Sequence, residues 1–233
     1  ALANKEQRGY ITPQEFNLYA NSAQMSIFEQ YFYDLNQFAR VPGNNHAYAN
    51  MVNNLEEKIN LFNLNDQNAT VVDTNGNVDL TAFDDFYRLG IVEVDYKSSG
   101  YFSLVEEMSL KEKIKYELGP LTKYSEKRPI FKRSGTGGSQ ALQIFPHPDP
   151  TAAMVKISYI SKPNPPKWTY IVINEKPLYN HSASDRVDFS LHPSDQNELV
   201  GKILQLAGIS IKDYNLVQIA AQEEVKTIQQ EKQ

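Results

Sequence analysis

What the sequence lacks excludes several classes of protein. It has no cysteine, so it is not a disulfide scaffold, and 11 glycines among 233 residues exclude a collagen-like chain. The longest near-apolar runs, such as 154–160, fall short of the roughly 18–20 residues that a membrane helix needs, so we expect no membrane contact. The net charge of −5 argues against a whole-protein nucleic-acid binder with a basic stripe.

Reactive side chains form no recognisable catalytic or metal-binding motif. The four histidines are scattered and lack the spacing of zinc ligands. His181, Ser182 and Asp185 supply the residue types of a catalytic triad, but triads are rarely built from neighbours in sequence. The glycine-rich segment 134–139 lacks the lysine that completes a phosphate-binding loop, so it is better interpreted as a flexible hairpin tip. We therefore predict no enzyme activity, no metal and no other cofactor.

Polarity depends instead on uncharged amides and phenols, since 20 Asn, 15 Gln and 14 Tyr stand beside 11 Phe. Fifteen of the asparagines lie between Asn4 and Asn77. Aromatic residues are enriched in interfaces, where charge is depleted, so this composition suits a protein that is mostly contact surface. An AT-rich genome would also raise Asn and Tyr, but it would spread the asparagines evenly. Their concentration favours contact surface in the N-terminal region.

The N-terminal region is predicted to be a helical hairpin. Thr12 and Glu15 can form a capping box around Pro13, a favourable residue at the first helical position. Apolar residues recur with helical spacing from there to about residue 39 and again from 47 to 62, with a turn at 41–45 between the two stretches. The apolar stripe of the first helix is wide and aromatic, and it therefore needs more than one packing partner.

The centre of the chain is predicted to be mainly β. Asn75-Gly76, between two short strand-like runs, is typical of a hairpin turn. Residues 101–118 are ambiguous, since 104–108 could form a strand and 109–118 a short helix that ends at Gly119-Pro120. Strands are expected at 90–96, 129–132, 141–145, 153–160, 168–173 and 188–191. Pro193 is expected to open a helix that ends near Gly208, and Asp213 to cap a last one.

This order of elements makes the fold class α+β. It comprises an N-terminal long helical hairpin, a central, mostly antiparallel β region with an extended arm, and C-terminal helices. We expect the helical hairpin at 1–66 and an α+β body at 67–233, with an extended β-arm around 121–150. The two parts could also form one continuous domain.

One basic cluster interrupts the mildly acidic sequence. Its basic residues are Lys123, Lys127, Arg128, Lys132 and Arg133, and the aromatic residues Tyr124 and Phe131 are interleaved with them. Such a cluster can contact an acidic protein or another subunit. Basic residues interleaved with aromatic ones are also typical of proteins that bind single strands. An ordinary solvated strand face explains the pattern equally well.

Six segments towards the two ends of the chain are distinctive, namely residues 8–17, 27–34, 155–160, 166–168, 191–199 and 202–209. They resemble parts of virion structural proteins of crAss-like podoviruses, which are tailed bacteriophages. The resemblance implies a subunit of the head-to-tail connector, located in the virion at the head-tail junction and assembled in the host cytoplasm. Its partners would be copies of itself in a cyclic homo-oligomer, about twelve by resemblance, and the portal and neighbouring tail-ring proteins. Genome DNA would pass through the channel without sequence-specific contacts.

We therefore expect a non-enzymatic ring protein whose interfaces use aromatic and basic side chains. The candidate interface residues are Phe28, Tyr31, Phe32, Lys127, Arg128, Lys132, Arg133 and Trp168. The alternative is a soluble module that binds single-stranded nucleic acid, or an acidic protein partner, through the basic-aromatic cluster at 123–133.

Overall fold

The chain is an α+β protein, and a computed structural model describes residues 11–40, 46–97, 99–136, 139–173 and 176–210, with positions 218 and 222. It divides into two compact units, one of residues 62–162 and one of residues 1–61 and 163–233. The sequence predicts a boundary near 66, with everything after it in one body. The observed division differs because α1 side chains bond to the chain after residue 163, as described below.

The N-terminal helices form where capping and apolar spacing predict them. Helix α1 spans Pro13–Arg40 and helix α2 spans His46–Asn60. The Thr12 N–H donates to the Glu15 carboxylate at 2.8 Å, and the Glu15 N–H donates to Thr12 Oγ1 at 3.2 Å, so the predicted capping box is present. These Thr12 contacts hold the pKa of Glu15 below its ordinary value. The turn predicted at 41–45 lies outside the described residues.

The unit of residues 62–162 contains two four-stranded sheets. Its elements are β1 (Asn63–Ala69), β2 (Asn77–Asp79), β3 (Phe86–Asp95), β4 (Ser103–Leu104), β5 (Glu106–Glu107), α3 (Leu110–Leu118), β6 (Ile130–Thr136), β7 (Ser139–Phe145) and β8 (Met154–Ser161). One sheet has the order β1-β8-β3-β4 and the other has the order β2-β7-β6-β5. Among these described strands, every pair except β5 with β6 is antiparallel. The mostly antiparallel β region predicted from the sequence is therefore confirmed.

Both sheets contribute to one hydrophobic core. Strand β8 alternates strictly, with Val155, Ile157 and Tyr159 buried and the residues between them more exposed. The core consists of Val71, Val78, Leu80, Val92, Val94, Val105, Phe131, Leu142, Ile144, Val155 and Ile157. Because the buried residues come from facing strands of both sheets, burial of this apolar surface stabilises the unit as a whole.

Much of the segment predicted as an arm, 121–150, is built into the second sheet. Strands β6 and β7 pair from Ile130 with Phe145 to Thr136 with Ser139, and β7 also pairs with β2. The segment therefore contains a long hairpin, and the core residues that it contributes anchor the base of this hairpin in the unit.

The remaining elements belong with α1 and α2. Strands β9 (Tyr170–Ile173) and β10 (Lys176–Tyr179) form an antiparallel hairpin, and a 3-10 turn at Pro193–Asp195 leads into α4 (Gln196–Ser210). The helix predicted from Pro193 is thus present, although it continues past Gly208. The strand predicted at 188–191 is not formed, and the helix predicted from Asp213 lies outside the described residues. No helix in the described ranges is long and apolar enough to cross a bilayer.

The predicted Asn75-Gly76 turn is present and constrains its surroundings tightly. Gly76 has φ +72°, in the left-handed region, and its N–H donates to the Asp73 carbonyl at 3.2 Å. The Ile144 N–H in turn donates to the Gly76 carbonyl at 2.9 Å. A Cβ at Gly76 would lie 2.7 Å from the Ile144 carbonyl oxygen, so a side chain there would push against the backbone of β7.

We predict that Gly76→Ala lowers the free energy of unfolding by more than the roughly 1–2 kcal/mol that a left-handed conformation costs a residue with a Cβ. Gly100→Ala is the matched control, because Gly100 has φ +82° and open space around its Cβ position. Urea denaturation of both variants measures the difference. Equal losses of unfolding free energy in the two variants would show that the close approach of β7 to Gly76 adds no cost.

Candidate interaction surfaces

The Asn17 side chain holds the chain just before the β9–β10 hairpin. Its Oδ1 accepts from the Trp168 N–H at 2.8 Å, and its Nδ2 donates to the Trp168 carbonyl at 3.2 Å. A neighbouring strand would offer Trp168 the same two bonds. No strand of the described chain pairs with Trp168, so Asn17 supplies the hydrogen bonds that its N–H and carbonyl need. Asn17 thereby attaches the start of the hairpin to α1.

The Gln24 side chain, further along α1 than Asn17, bonds to the chain both before and after the β9–β10 hairpin. It is fully buried, its Nε2 donates to the Asn164 carbonyl at 2.8 Å, and its Oε1 accepts from the Ser190 N–H at 3.1 Å. Both halves of the amide are used, as burial requires. The bond to Ser190 also explains why 188–191 is not a strand, since its backbone pairs with a side chain.

A buried carboxylate connects both N-terminal helices to the start of α4. Asp195 accepts hydrogen bonds from the Tyr31 hydroxyl and, at 2.6 Å, from the Lys58 ammonium. Desolvation, together with the neighbouring carboxylate, raises the pKa of Tyr31, which keeps its hydroxyl a donor. Tyr31, on α1, and Lys58, on α2, thus have a common partner in the turn before α4.

The β9–β10 hairpin exposes apolar side chains on both of its faces. Ile171 lies opposite Leu178, and these two share a face with Ile173, all three being 43–48% exposed. The other face carries Tyr170 and Tyr179, which lie opposite one another. A two-stranded hairpin alone is only marginally stable in water, and its outer edges offer unpaired backbone groups. The hairpin therefore leaves apolar side chains exposed to solvent.

An aromatic stack lies on the tyrosine face of this hairpin. The Trp168 ring is 6.0 Å from that of Tyr170 and 6.4 Å from that of Tyr179, and it is nearly parallel to both. Phe16 contacts Trp168 edge-on at 6.0 Å. Beside the stack is a cleft of about 340 Å³, also lined by Asn17 and by residues 186–189. The tyrosine face is thus partly covered by the protein itself, whereas no stack of described rings covers the aliphatic face.

The charged groups at the rim of this cleft are paired with one another. Lys167 Nζ lies 2.5 Å from the Asp185 carboxylate, and Arg186 lies 3.3 Å from that of Asp188 and donates to the Tyr179 hydroxyl at 3.1 Å. The Lys167 contact lowers the pKa of Asp185. These pairs leave the rim close to neutral, so the cleft has little electrostatic attraction for an anion.

The predicted interface aromatics are not all on the surface. Phe28 is 0% exposed and Tyr31 is buried, which corrects their assignment to an interface with another molecule. Phe32, which is half-buried, contacts the Phe28 ring at 5.1 Å between centroids. The stripe of α1 is wide because α1 packs against both α2 and α4. The expectation of more than one packing partner was therefore right, but the partners lie within the chain. Trp168 is half-buried at the cleft.

The structure separates the members of the basic cluster into different environments. Arg133 makes two bonds to the Glu107 carboxylate, at 2.7 and 3.0 Å, and these lower the pKa of Glu107. Lys132 lies 6.0 Å from the ring centroid of Phe145. Lys127 and Arg128 are exposed. The cluster is therefore not one continuous cationic surface.

The aromatic residues of the cluster are poorly placed for stacking on bases. Phe131 is 3% exposed, because it belongs to the core between the sheets. Tyr124 is half-buried, packs on the Phe145 ring at 5.7 Å and donates its hydroxyl to Glu117 at 2.7 Å. Burial and the bond to Glu117 raise the pKa of Tyr124 to about 12.

The described residues bring together no metal-binding group of three or more His, Asp or Glu side chains. The triad residue types at 181–185 are also not assembled. Asp185 pairs with Lys167, the Ser182 N–H bonds to Asn180, and the His181 ring lies edge-on to Tyr179 at 6.4 Å.

Comparison with known proteins adds no relative. No protein-family model and no curated protein matches this sequence. A function can therefore be proposed only from the surfaces described above and from the patterns in the sequence.

We predict that Gln24→Met, which removes both hydrogen bonds of this buried side chain at similar size, lowers the free energy of unfolding by about 1–3 kcal/mol, because each lost hydrogen bond contributes about 0.5–1.5 kcal/mol. Gln14→Met, at an exposed position of α1, is the control and should change stability by less than about 0.5 kcal/mol. Thermal and urea unfolding measure both. Similar small changes in the two variants would mean that Gln24 does not hold the 164–190 segment.

Proposed function

We propose that this chain is a non-enzymatic structural subunit of a tailed-phage virion, which assembles into a closed homo-oligomeric ring in the head-to-tail connector. The observation that carries the proposal is the β9–β10 hairpin, whose aliphatic face exposes Ile171, Ile173 and Leu178, with Lys176 in register opposite Ile173. Contiguous exposed apolar side chains of this kind mark sites of protein association.

Two properties of the hairpin favour assembly over accidental exposure. Asn17 and Gln24 hold the segment that carries it to α1 through four hydrogen bonds. A surface that is held in place in the free subunit loses less conformational entropy when it binds. The hairpin also offers backbone edges as well as side chains, so a partner can add both apolar contacts and hydrogen bonds.

An exposed hairpin such as β9–β10 suits a head-to-tail contact. In such a contact the surface of one subunit binds a different surface on the next, and a constant rotation closes the assembly into a ring. A two-fold symmetric contact of two hairpins would instead produce a dimer. The proposed ring therefore requires that the hairpin of one copy bind a different surface of the next copy.

The placement in a phage connector rests on the resemblance of short sequence segments. Five of the six segments, all except 155–160, fall within the unit of residues 1–61 and 163–233, which carries the hairpin. In this proposal the portal and the neighbouring tail-ring proteins contact the ring from above and below, and genome DNA passes through it. The binding module for single-stranded nucleic acid is less well supported, because Phe131 is buried and Arg133 is paired with Glu107.

We predict that the full chain forms closed multimers. The double substitution Ile171→Asp with Leu178→Asp should abolish their assembly, because two carboxylates on the aliphatic face cannot be buried without partners. The control pair, Val72→Asp with Ile91→Asp, changes residues of similar exposure elsewhere and should assemble normally. Sedimentation velocity over a range of concentrations gives the mass, and negative-stain imaging gives the shape.

Circular dichroism should show that both double variants remain folded. A hairpin variant that assembles like the unchanged chain would overturn the role of the hairpin. Labelling of purified virions with an antibody against the chain tests the location separately, and a signal away from the head-tail junction would contradict the connector.

A further inference from the structure

The cleft beside Trp168 has the size and the lining of a ligand site. Its volume of about 340 Å³ falls within the range of roughly 300–1,000 Å³ that is usual for ligand pockets. Phe16, Pro166, Trp168 and Phe189 give it apolar walls, and Phe189 is still 40% exposed. Aromatic walls of this kind, with a few polar groups among them, are typical of binding sites. We call it the Trp168 cleft.

The protein holds the walls of the Trp168 cleft in place. Asn17 fixes the backbone of Trp168 through two hydrogen bonds, and the Phe16 ring contacts the Trp168 ring edge-on. Pro166 is buried. A site that is already formed in the free protein loses less conformational entropy when it binds.

The polar groups that the Trp168 cleft can offer to a ligand are mainly donors. The Trp168 indole N–H has no acceptor among the described residues, and it reaches the surface, because no buried side-chain nitrogen or oxygen there lacks a partner. The Tyr179 hydroxyl accepts from Arg186 at 3.1 Å, and its own hydrogen has no acceptor in the described ranges. Asp188 is the one carboxylate among the described lining residues, and it is paired with Arg186. Both ends of the Asn17 amide are also occupied.

We propose that the Trp168 cleft binds a proline-rich segment of a partner protein in the extended polyproline II conformation. Such segments dock in grooves lined by aromatic rings. Their backbone carbonyls make no internal hydrogen bonds, so they can accept from the Trp168 N–H and the Tyr179 hydroxyl. Proline has no backbone N–H, so it brings no donor into a cleft whose acceptors are already used.

Charge and the balance of donors favour this occupant over two others. The rim pairs Lys167 with Asp185 and Arg186 with Asp188, so it suits a neutral segment rather than a phosphate or a carboxylate. A saccharide would bring many hydroxyl donors, and the acceptors that would receive them are engaged within the protein.

The single tryptophan of the chain makes a direct test possible. Decaproline, capped at both ends so that it is neutral, is titrated into the full chain while tryptophan fluorescence is recorded. Because Trp168 is the only source of this signal, a change in its emission reports on the cleft. We expect a saturable change with decaproline. A capped glycine-serine peptide of equal length should bind about tenfold more weakly, because it is flexible and loses more entropy on binding.

Two substitutions each remove one donor and keep an aromatic ring. Tyr179→Phe and Trp168→Phe should each weaken the binding of decaproline by about 2- to 12-fold, the effect of one lost hydrogen bond. Isothermal titration calorimetry measures this in both variants, since Trp168→Phe removes the fluorescent ring. Tyr101→Phe is the matched control, at a tyrosine that is 85% exposed in the other unit, and should bind like the unchanged chain. Circular dichroism should show that all three variants are folded.

Failure of decaproline to bind saturably would overturn the inference. Binding that neither donor variant weakens would overturn it as well, because the peptide would then lie elsewhere. Maltohexaose, a neutral oligosaccharide, is the comparison ligand, and a change in Trp168 emission with it but not with decaproline would assign the cleft to a saccharide.

The inference does not rest on the proposed ring, because the Trp168 cleft is lined by Tyr179 and not by the aliphatic side chains of the hairpin. A chain that binds decaproline but stays monomeric would contradict the proposed function and support this inference. A chain that assembles but does not bind decaproline would do the reverse.

Discussion

The exposed hairpin depends on two amide side chains of α1. The segment from 163 to 190 finds no strand in the described chain to pair with, apart from its own hairpin and the single bridge between Lys167 and Val187. Asn17 and Gln24 supply the missing hydrogen bonds instead, at Trp168, Asn164 and Ser190. Backbone groups that are buried without a partner are costly, so these amides decide where the segment lies. Part of the surplus of Asn and Gln is thus structural.

Asp195 has a similar role for the helices that carry those amides. A carboxylate that is 3% exposed is tolerable only because Lys58 neutralises it and Tyr31 donates to it. The contact requires α1, α2 and the turn before α4 to meet at one point. The packed helices hold α1 in place, and the amides of α1 bond to the 163–190 segment. This segment includes the β9–β10 hairpin, so its position depends on the helices.

Local signals in the sequence predicted most elements. Some signals act over only a few residues, so they can be recognised without knowing the fold. Examples are the capping at Thr12, the Asn75-Gly76 turn and the alternation of Val155 and Ile157. Burial could not be predicted in the same way. Phe28 is buried on α1, which packs against both α2 and α4, and α4 lies more than 150 residues further along the chain. Gln24 gave no signal, because its partners at Asn164 and Ser190 are equally remote.

The central claim is that the aliphatic face of the hairpin is covered by another copy. Hydrogen-deuterium exchange of the full chain, measured at increasing protein concentration, tests it most directly. If another copy covers the hairpin, amide exchange at 170–173 and 176–179 slows as the concentration rises, while exchange along β3 is unchanged. Exchange in the hairpin that stays the same from the most dilute to the most concentrated sample would contradict it.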